Sequence, residues 1–403
     1  MSALKYWLWL SGADVSASAR AQLFKHYGGA MEAFMAPEGD YANVSGLSAR
    51  ERVILEKRDL SRAMEIYGEC ERQFLEIITY QDARYPKRLK NIYAPPAVLY
   101  VKGKMPNIDE NAAIAVVGTR RASYYGVKMA RSIANDIARS GAIVISGLTR
   151  GIDAAAAEGA LLADGIVLAV LGTSHEKDKN FLSPDVAVKG AVISEYPPGT
   201  TMKNGFFRER NRVSSGLSVG VVAVEAPESS GTALFVAEAA EQGKEIFAVP
   251  TNADSYSGAG TLEMLKDGAR LITCGWDVVR EFEYMFPGRL HEPKEGSSVE
   301  KVGPKTEEPK EKSPVKPPEE TKKVIDKEND RGYIDLKEQL SQLNETQLQI
   351  ISAIDKDAGH IDDIIEATGL PTATVLAQLT VLEIKGFVRR EAGRRIALNT
   401  AKK

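Results

Sequence analysis

Short, almost wholly apolar runs that alternate with helix-patterned segments constrain this chain most. The runs are 75–79, 114–117, 142–146, 166–171, 191–194, 219–224, 245–249 and 270–273, and stretches such as VKMARSIANDIARSG and GTALFVAEAAEQG lie between them. Strands covered on both faces lose the apolar–polar alternation of half-exposed strands, and strand–helix alternation builds parallel pairs. Residues 76–287 are therefore expected to form a doubly wound, mostly parallel α/β sheet. Two of the runs continue as IAVVGTR and ISGLTRGID, each a buried strand ending in glycine with an arginine just past the turn. That pairing predicts two phosphate-sized anion sites on one rim of the sheet.

The flanks read differently. At 403 residues the chain is long enough for two or three domains. Residues 1–75 show helical spacing in SARAQLFKHYGGAMEAF and SARERVILEKRDLSRAMEIYGECERQF, with a stop at Gly28-Gly29. Short helices joined by turns such as NVSGLS suit a helix-hairpin-helix or SAM-like module, whose turn amides touch DNA phosphates, and equally suit a small packing or protein-interaction domain. Residues 288–337 are rich in Pro, Lys and Glu and read as a disordered linker. Residues 338–403 read as three helices followed by a hairpin around Gly393, the winged-helix layout.

Composition removes several function classes. A net charge of -3 gives no global basic field, so any surface for nucleic acid is local. Cys70 and Cys274 stand far apart, which excludes a disulfide framework or zinc site and fits a reducing cytoplasm. No apolar run is long enough to cross a membrane, and MSALKYWLWLSGAD is read as a buried first helix rather than a signal peptide. GxxxxGK[ST] is absent. Of four histidines, only His175 falls in an α/β loop, without a paired Ser or Cys motif. Glu195 and Glu225 follow strands, where such residues serve as acids or bases or, more often, order a loop arginine. No catalytic residue, metal or cofactor is expected.

Five patches carry the chemistry. In VVGTRRASYYG, Gly118 ends a strand, Thr119 and Ser123 supply hydroxyls, Arg120 presents a fork suited to phosphate, and Tyr124 and Tyr125 can stack on a base. A plain glycine turn with solvent-facing arginines fits that stretch equally well. In SGLTRGIDAAAAEGAL, Ser146 and Gly147 close a strand, Gly147, Arg150 and Gly151 read as ligand contacts, and Asp153 reads as a helix cap. The loop-like stretch ISEYPPGTTMKNGFFRERNRVSSGLS interleaves Lys203, Arg208, Arg210 and Arg212 with Phe206, Phe207 and Asn211, a pattern expected for a single strand. One of the two phenylalanines is expected in the core. Ser229, Ser230, Gly231 and Thr232 form an anion-friendly turn at a helix start, and Gly258 and Gly260 read similarly.

In this order, GTR-RAS-YYG, SGLTRGIDAAA, SEYPPGT, F-R-E-RNRVSSGLS and GAGTLEMLKDGA resemble the bacterial DNA-processing protein A (DprA/Smf) family, preceded by the similar lead-in DARYPKRLKNIYAPPAVLYVKG. The resemblance implies an extended Rossmann fold and a cytoplasmic, non-enzymatic homodimer. Such a protein binds single-stranded DNA, protects it and helps load RecA recombinase in natural transformation. It places Gly118, Thr119, Arg120, Ser146, Gly147, Arg150, Gly151, Lys203, Phe207, Arg210, Asn211 and Arg212 at the DNA. The chain departs from the family pattern at Ala157, where a histidine is usual, at Arg208 for proline, and at Thr261 for asparagine. Two rival readings remain. One is a nucleotide phosphoribohydrolase-like enzyme, whose glycine-rich turn is only partly matched by PESSGTALFVAE. The other is a winged-helix transcription regulator with Thr372, Thr374 and Gln378 facing a groove and Arg389, Arg390, Arg394 and Arg395 on the wing, although a helix whose one basic residue is Lys385 fits a partner-binding or autoregulatory module better.

Overall fold

The computed structural model describes residues 3–203, 205–293, 345–354, 359–384, 387–391 and 395–398. Most of the expected linker, together with Gly393 and Arg394, lies outside them. The chain divides into two compact units: the N-terminal helices with the large sheet, and the C-terminal helices with a small one.

The N-terminal helices are α1 (Leu4–Gly12), α2 (Ala17–Tyr27), α3 (Ala30–Met35), α4 (Ala49–Glu56) and α5 (Ser61–Arg72). The opening apolar run is α1, and its residues Tyr6 to Leu10 are all buried, as its composition requires. Trp7 packs on Phe24 and Tyr80, joining α1 and α2 to the start of the α/β region. A capping box of Ser48 and Glu51 opens α4. Glu51 also accepts from the Ser16 amide and hydroxyl, so one carboxylate ties two helix starts together. Burial alone would raise its pKa, but the hydrogen bonds from Ser16 and Ser48 outweigh burial and hold it at about 2.

The sheet has nine strands: β1 (Glu76–Thr79), β2 (Val98–Gly103), β3 (Ala113–Gly118), β4 (Ile143–Ser146), β5 (Val167–Val170), β6 (Ala191–Ser194), β7 (Gly220–Glu225), β8 (Glu245–Ala248) and β9 (Arg270–Leu271). Their order is β1-β2-β6-β5-β4-β3-β7-β8-β9, and β2 alone runs against its neighbours. The doubly wound, mostly parallel reading holds. Sequence reading passed over β2 as a strand, although its Val98–Val101 run is fully buried.

Helices cover both faces. The first face carries α7 (Tyr124–Arg139), α8 (Ile152–Leu162), α9 (Ser183–Lys189) and α13 (Trp276–Val279). The other carries α6 (Lys87–Lys90), α10 (Phe206–Leu217) and α11 (Gly231–Glu241), and α12 (Ala259–Lys266) packs against β7 and β8. Packing continues past the expected edge at residue 287: Leu290 is buried in the first-face core, and the His291 amide donates to the Ser140 carbonyl.

The second unit contains α14 (Glu345–Ser352), α15 (Ile361–Thr368) and α16 (Thr372–Ile384). Its small sheet has the order β10 (Gly359–His360), β12 (Arg395–Leu398), β11 (Val388–Glu391). This is the winged-helix arrangement, with one short strand more than the sequence pattern suggested. Gln378 accepts a hydrogen bond from Gln347 at 2.8 Å, which ties α14 to the helix expected to face a groove.

Candidate nucleic-acid interface

β3 and β7 are neighbours, but β3 leads the chain outward through β4, β5 and β6, whereas β7 leads it through β8 and β9. The rim between their carboxyl ends is the topological switch point, where such sheets hold ligands. The pairing register slips there, between Val117 and Gly118, and the Thr119 amide still donates to the Glu225 carbonyl at 2.8 Å.

A cavity of about 520 Å³ opens at this point. The turn after β3 contributes Gly118, Thr119 and Arg120, and the turn after β4 contributes Ser146, Gly147 and Thr149. The start of α11 adds Ser230, Gly231 and Thr232, and Val117 and Phe235 add apolar wall. The remaining wall is α10, which begins at Phe206, so the stretch read as a loop is helical from there. Phe207, Arg210, Asn211 and Ser214 recur at i, i+3, i+4 and i+7 and therefore share one face, the cavity face.

The electrostatics centre on Arg210. It is only 8% exposed. Its Nη1 donates to the Val170 carbonyl at 3.2 Å, and its Nε has no partner. Burial pulls its pKa below the ordinary guanidinium value, and Asp153 offsets this only in part. The buried hydroxyls of Ser214 and Ser230 also lack partners. Arg120, exposed at the mouth, lies over the Phe207 ring at 4.9 Å from its centroid. Phe207 in turn packs on Gly172, where a Cβ would come within 2.8 Å of the ring. Unfilled buried donors, a helix N-terminus and a partly exposed aromatic ring suit an anion joined to a planar group. Among the described residues, no cluster of His, Cys, Asp or Glu is arranged to hold a metal.

Eight of the twelve residues that the resemblance places at the DNA thus line one cavity: Gly118, Thr119, Arg120, Ser146, Gly147, Phe207, Arg210 and Asn211. Arg150, Gly151, Lys203 and Arg212 do not line it. Arg150 is exposed outside it. Gly151 has φ of +87°, and a Cβ there would meet the Thr119 carbonyl at 2.3 Å, so its close approach is to its own chain. Lys203 pairs with Asp14 in a second cavity of about 550 Å³ beside α1 and α2. Arg212 projects from another side of α10 and forms a buried ion pair with Glu195 at 2.5 Å.

Other side chains also depart from their expected roles. Asp153 does not cap α8; its carboxylate accepts from the Thr149 hydroxyl at 2.9 Å. Ser123 caps α7 instead of facing the cavity. Tyr124 is exposed and Tyr125 donates to the Pro250 carbonyl; neither lines the cavity. Gly258 and Gly260 face Thr251 and Ala226 of their own chain. Glu195 does order an arginine, whereas Glu225 accepts from the Ser123 amide and the Ser257 hydroxyl. Phe206 is the core phenylalanine, stacked on Tyr196 at 4.0 Å. His175 is held by the Tyr100 carbonyl. Sequence reading leaves Thr149 and Ser214 out of the site, yet both line the cavity, as does Arg208 of the basic patch. The helical spacing of FFRERNRVSSGL was the signal for Ser214.

The family model for DNA recombination-mediator protein A matches residues 76–283, the segment that builds this cavity. The chain belongs to the DNA-processing protein A (DprA/Smf) family. The model of the DprA winged helix domain matches residues 336–394 of this DprA/Smf chain. DNA processing protein DprA of Bacillus subtilis is 35% identical over 227 residues, covering 55% of this chain and 75% of that one. Protein Smf of a Synechocystis species is 28% identical, with 97% of both chains covered. The crystal structure of DprA from Streptococcus pneumoniae superposes with a TM-score of 0.60 at 28% identity, covering 68% of this chain and 96% of that one.

Proposed function

We propose that this DprA/Smf chain binds single-stranded DNA at the switch-point cavity, protects it, and helps load it onto RecA recombinase during natural transformation. Arg210 carries the reading: a buried guanidinium with an unfilled donor, at a cavity whose mouth holds Arg120 and Phe207, calls for a phosphate next to a base. Backbone phosphates are common to every sequence, so little sequence preference is expected. Family membership supports a role in DNA recombination, and the resemblance supports a cytoplasmic homodimer that turns no substrate over.

The test is equilibrium binding of the full chain to oligothymidylate, to a duplex of equal length and to thymidine monophosphate across a salt series. Binding of the single strand ahead of both competitors, falling steeply with salt, supports the proposal. Preference for the duplex moves the activity toward regulation through the winged helix. Release of free base from a nucleoside monophosphate would establish a hydrolase instead.

A further inference from the structure

Arginine side chains have many rotamers, and one that must meet a ligand needs something to hold it. Arg210 enters the cavity from α10 with one neutral acceptor, the Val170 carbonyl. A buried carboxylate on α8 lies close to the same guanidinium. Asp153 is 5% exposed and lines the same cavity, with Oδ2 accepting the Thr149 hydroxyl at 2.9 Å. A Cβ on Gly147 would lie 1.6 Å from Arg210 Nη1 and 2.7 Å from Asp153 Oδ2. The two charges therefore face each other across the space left by the missing side chain. Neither is comfortable alone: burial raises the Asp153 pKa and lowers that of Arg210, and each opposes the shift of the other.

We propose that Asp153 is a positioning residue for the phosphate site, holding the Arg210 guanidinium over Gly147 so that a phosphate of the strand completes its hydrogen bonds. The inference rests on the single-strand reading of the cavity and adds the device that aims its buried cation. The groups facing Asp153 are Arg210 from α10, the Thr149 hydroxyl and amide from its own turn, and Arg120 from the turn after β3. Arg210 faces Arg120 and Tyr196 besides Asp153. A carboxylate inside an anion site repels the anion, so the sign of a charge-removing substitution separates the two roles.

The experiment measures oligothymidylate affinity of the full chain as wild type, Asp153→Asn, Arg210→Ala and the double variant. Asp153→Asn is expected to weaken binding about tenfold, Arg210→Ala at least as much, and the double variant no further than Arg210→Ala. Thr149→Val, which keeps the charge and removes its anchor, gives a smaller loss in the same direction and covers the case in which Asp153→Asn does not fold. Asp153→Asn binding as tightly as wild type or tighter, losses that add fully in the double variant, or an unchanged Thr149→Val would overturn the proposal. Wild type that does not bind oligothymidylate removes the single-strand reading together with this one; wild type that binds while Asp153→Asn is unweakened removes this one alone.

Discussion

Arg210 and Arg212 stand two residues apart on one helix and are equally buried, yet burial has opposite outcomes for them. Arg212 meets Glu195, whose carboxylate outweighs the burial and holds the guanidinium above its ordinary range. Arg210 meets a carbonyl and a carboxylate held across Gly147, and stays below it. The neighbouring Lys203 also has a carboxylate partner, Asp14, in an exposed pair in the cleft beside the N-terminal helices. One side of α10 is therefore an ion-paired structural joint, and the other carries a buried cation whose one hydrogen bond is to a neutral carbonyl. A count of basic residues cannot tell these apart, and neither do unfilled donors, since Arg212 Nη1 lacks a partner as Arg210 Nε does; the directly paired carboxylate of Arg212 does.

The largest expected effect breaks the joint. Glu195→Ala leaves Arg212 buried and uncompensated and costs about 3–5 kcal/mol of stability, read by denaturant unfolding. Arg210→Ala losing as much stability as Glu195→Ala would erase the contrast between the two sides. Gly147→Ala acts on the other side, because its Cβ would occupy the space of the Arg210 guanidinium. It is expected to cost about 1.5–3 kcal/mol of single-strand affinity, with the thermal midpoint of unfolding close to wild type. Phe207→Ala should cost about 1–3 kcal/mol of affinity if bases stack there, and loss confined to one base type in homopolymer binding would argue against stacking.

Glu51→Gln touches only the helical side. Its carboxyl is held at about 2 in the folded chain against an ordinary 4.5, so its stabilisation is fully present above pH 4.5 and is lost as pH falls through 2. The variant is expected to melt slightly below wild type at neutral pH, with the gap closing toward pH 2 and DNA affinity unchanged. A gap that persists at pH 2 would show that charge is not its source.

Much of the sheet was legible because parallel strands buried on both faces must be apolar throughout. β2 was missed because Val98–Val101 follows Pro95-Pro96 in a segment noticed only as a family lead-in. The glycines illustrate a deeper limit. Gly147 and Gly151 both mark close approach, but what approaches is a guanidinium at one and the chain's own backbone at the other. Residue type cannot separate these cases. The arginines were separable: 207, 210, 211 and 214 share a helical face that 212 does not, but GTTMKNG before them reads as loop and masked the helix start. The sequence reads Asp153 as a cap because acids favour helix starts, whereas the Thr149 hydroxyl holds its carboxylate in the cavity wall.

The most direct test compares oligothymidylate binding by Arg210→Ala and Lys203→Ala across a salt series. Arg210→Ala is expected to weaken binding at least tenfold and to make the log–log salt dependence shallower by about 0.7, one phosphate contact, while Lys203→Ala, losing only an exposed pair, stays within about twofold of wild type. Equal affinities and equal slopes for Arg210→Ala and wild type would contradict the claim that the open side of α10 holds the strand.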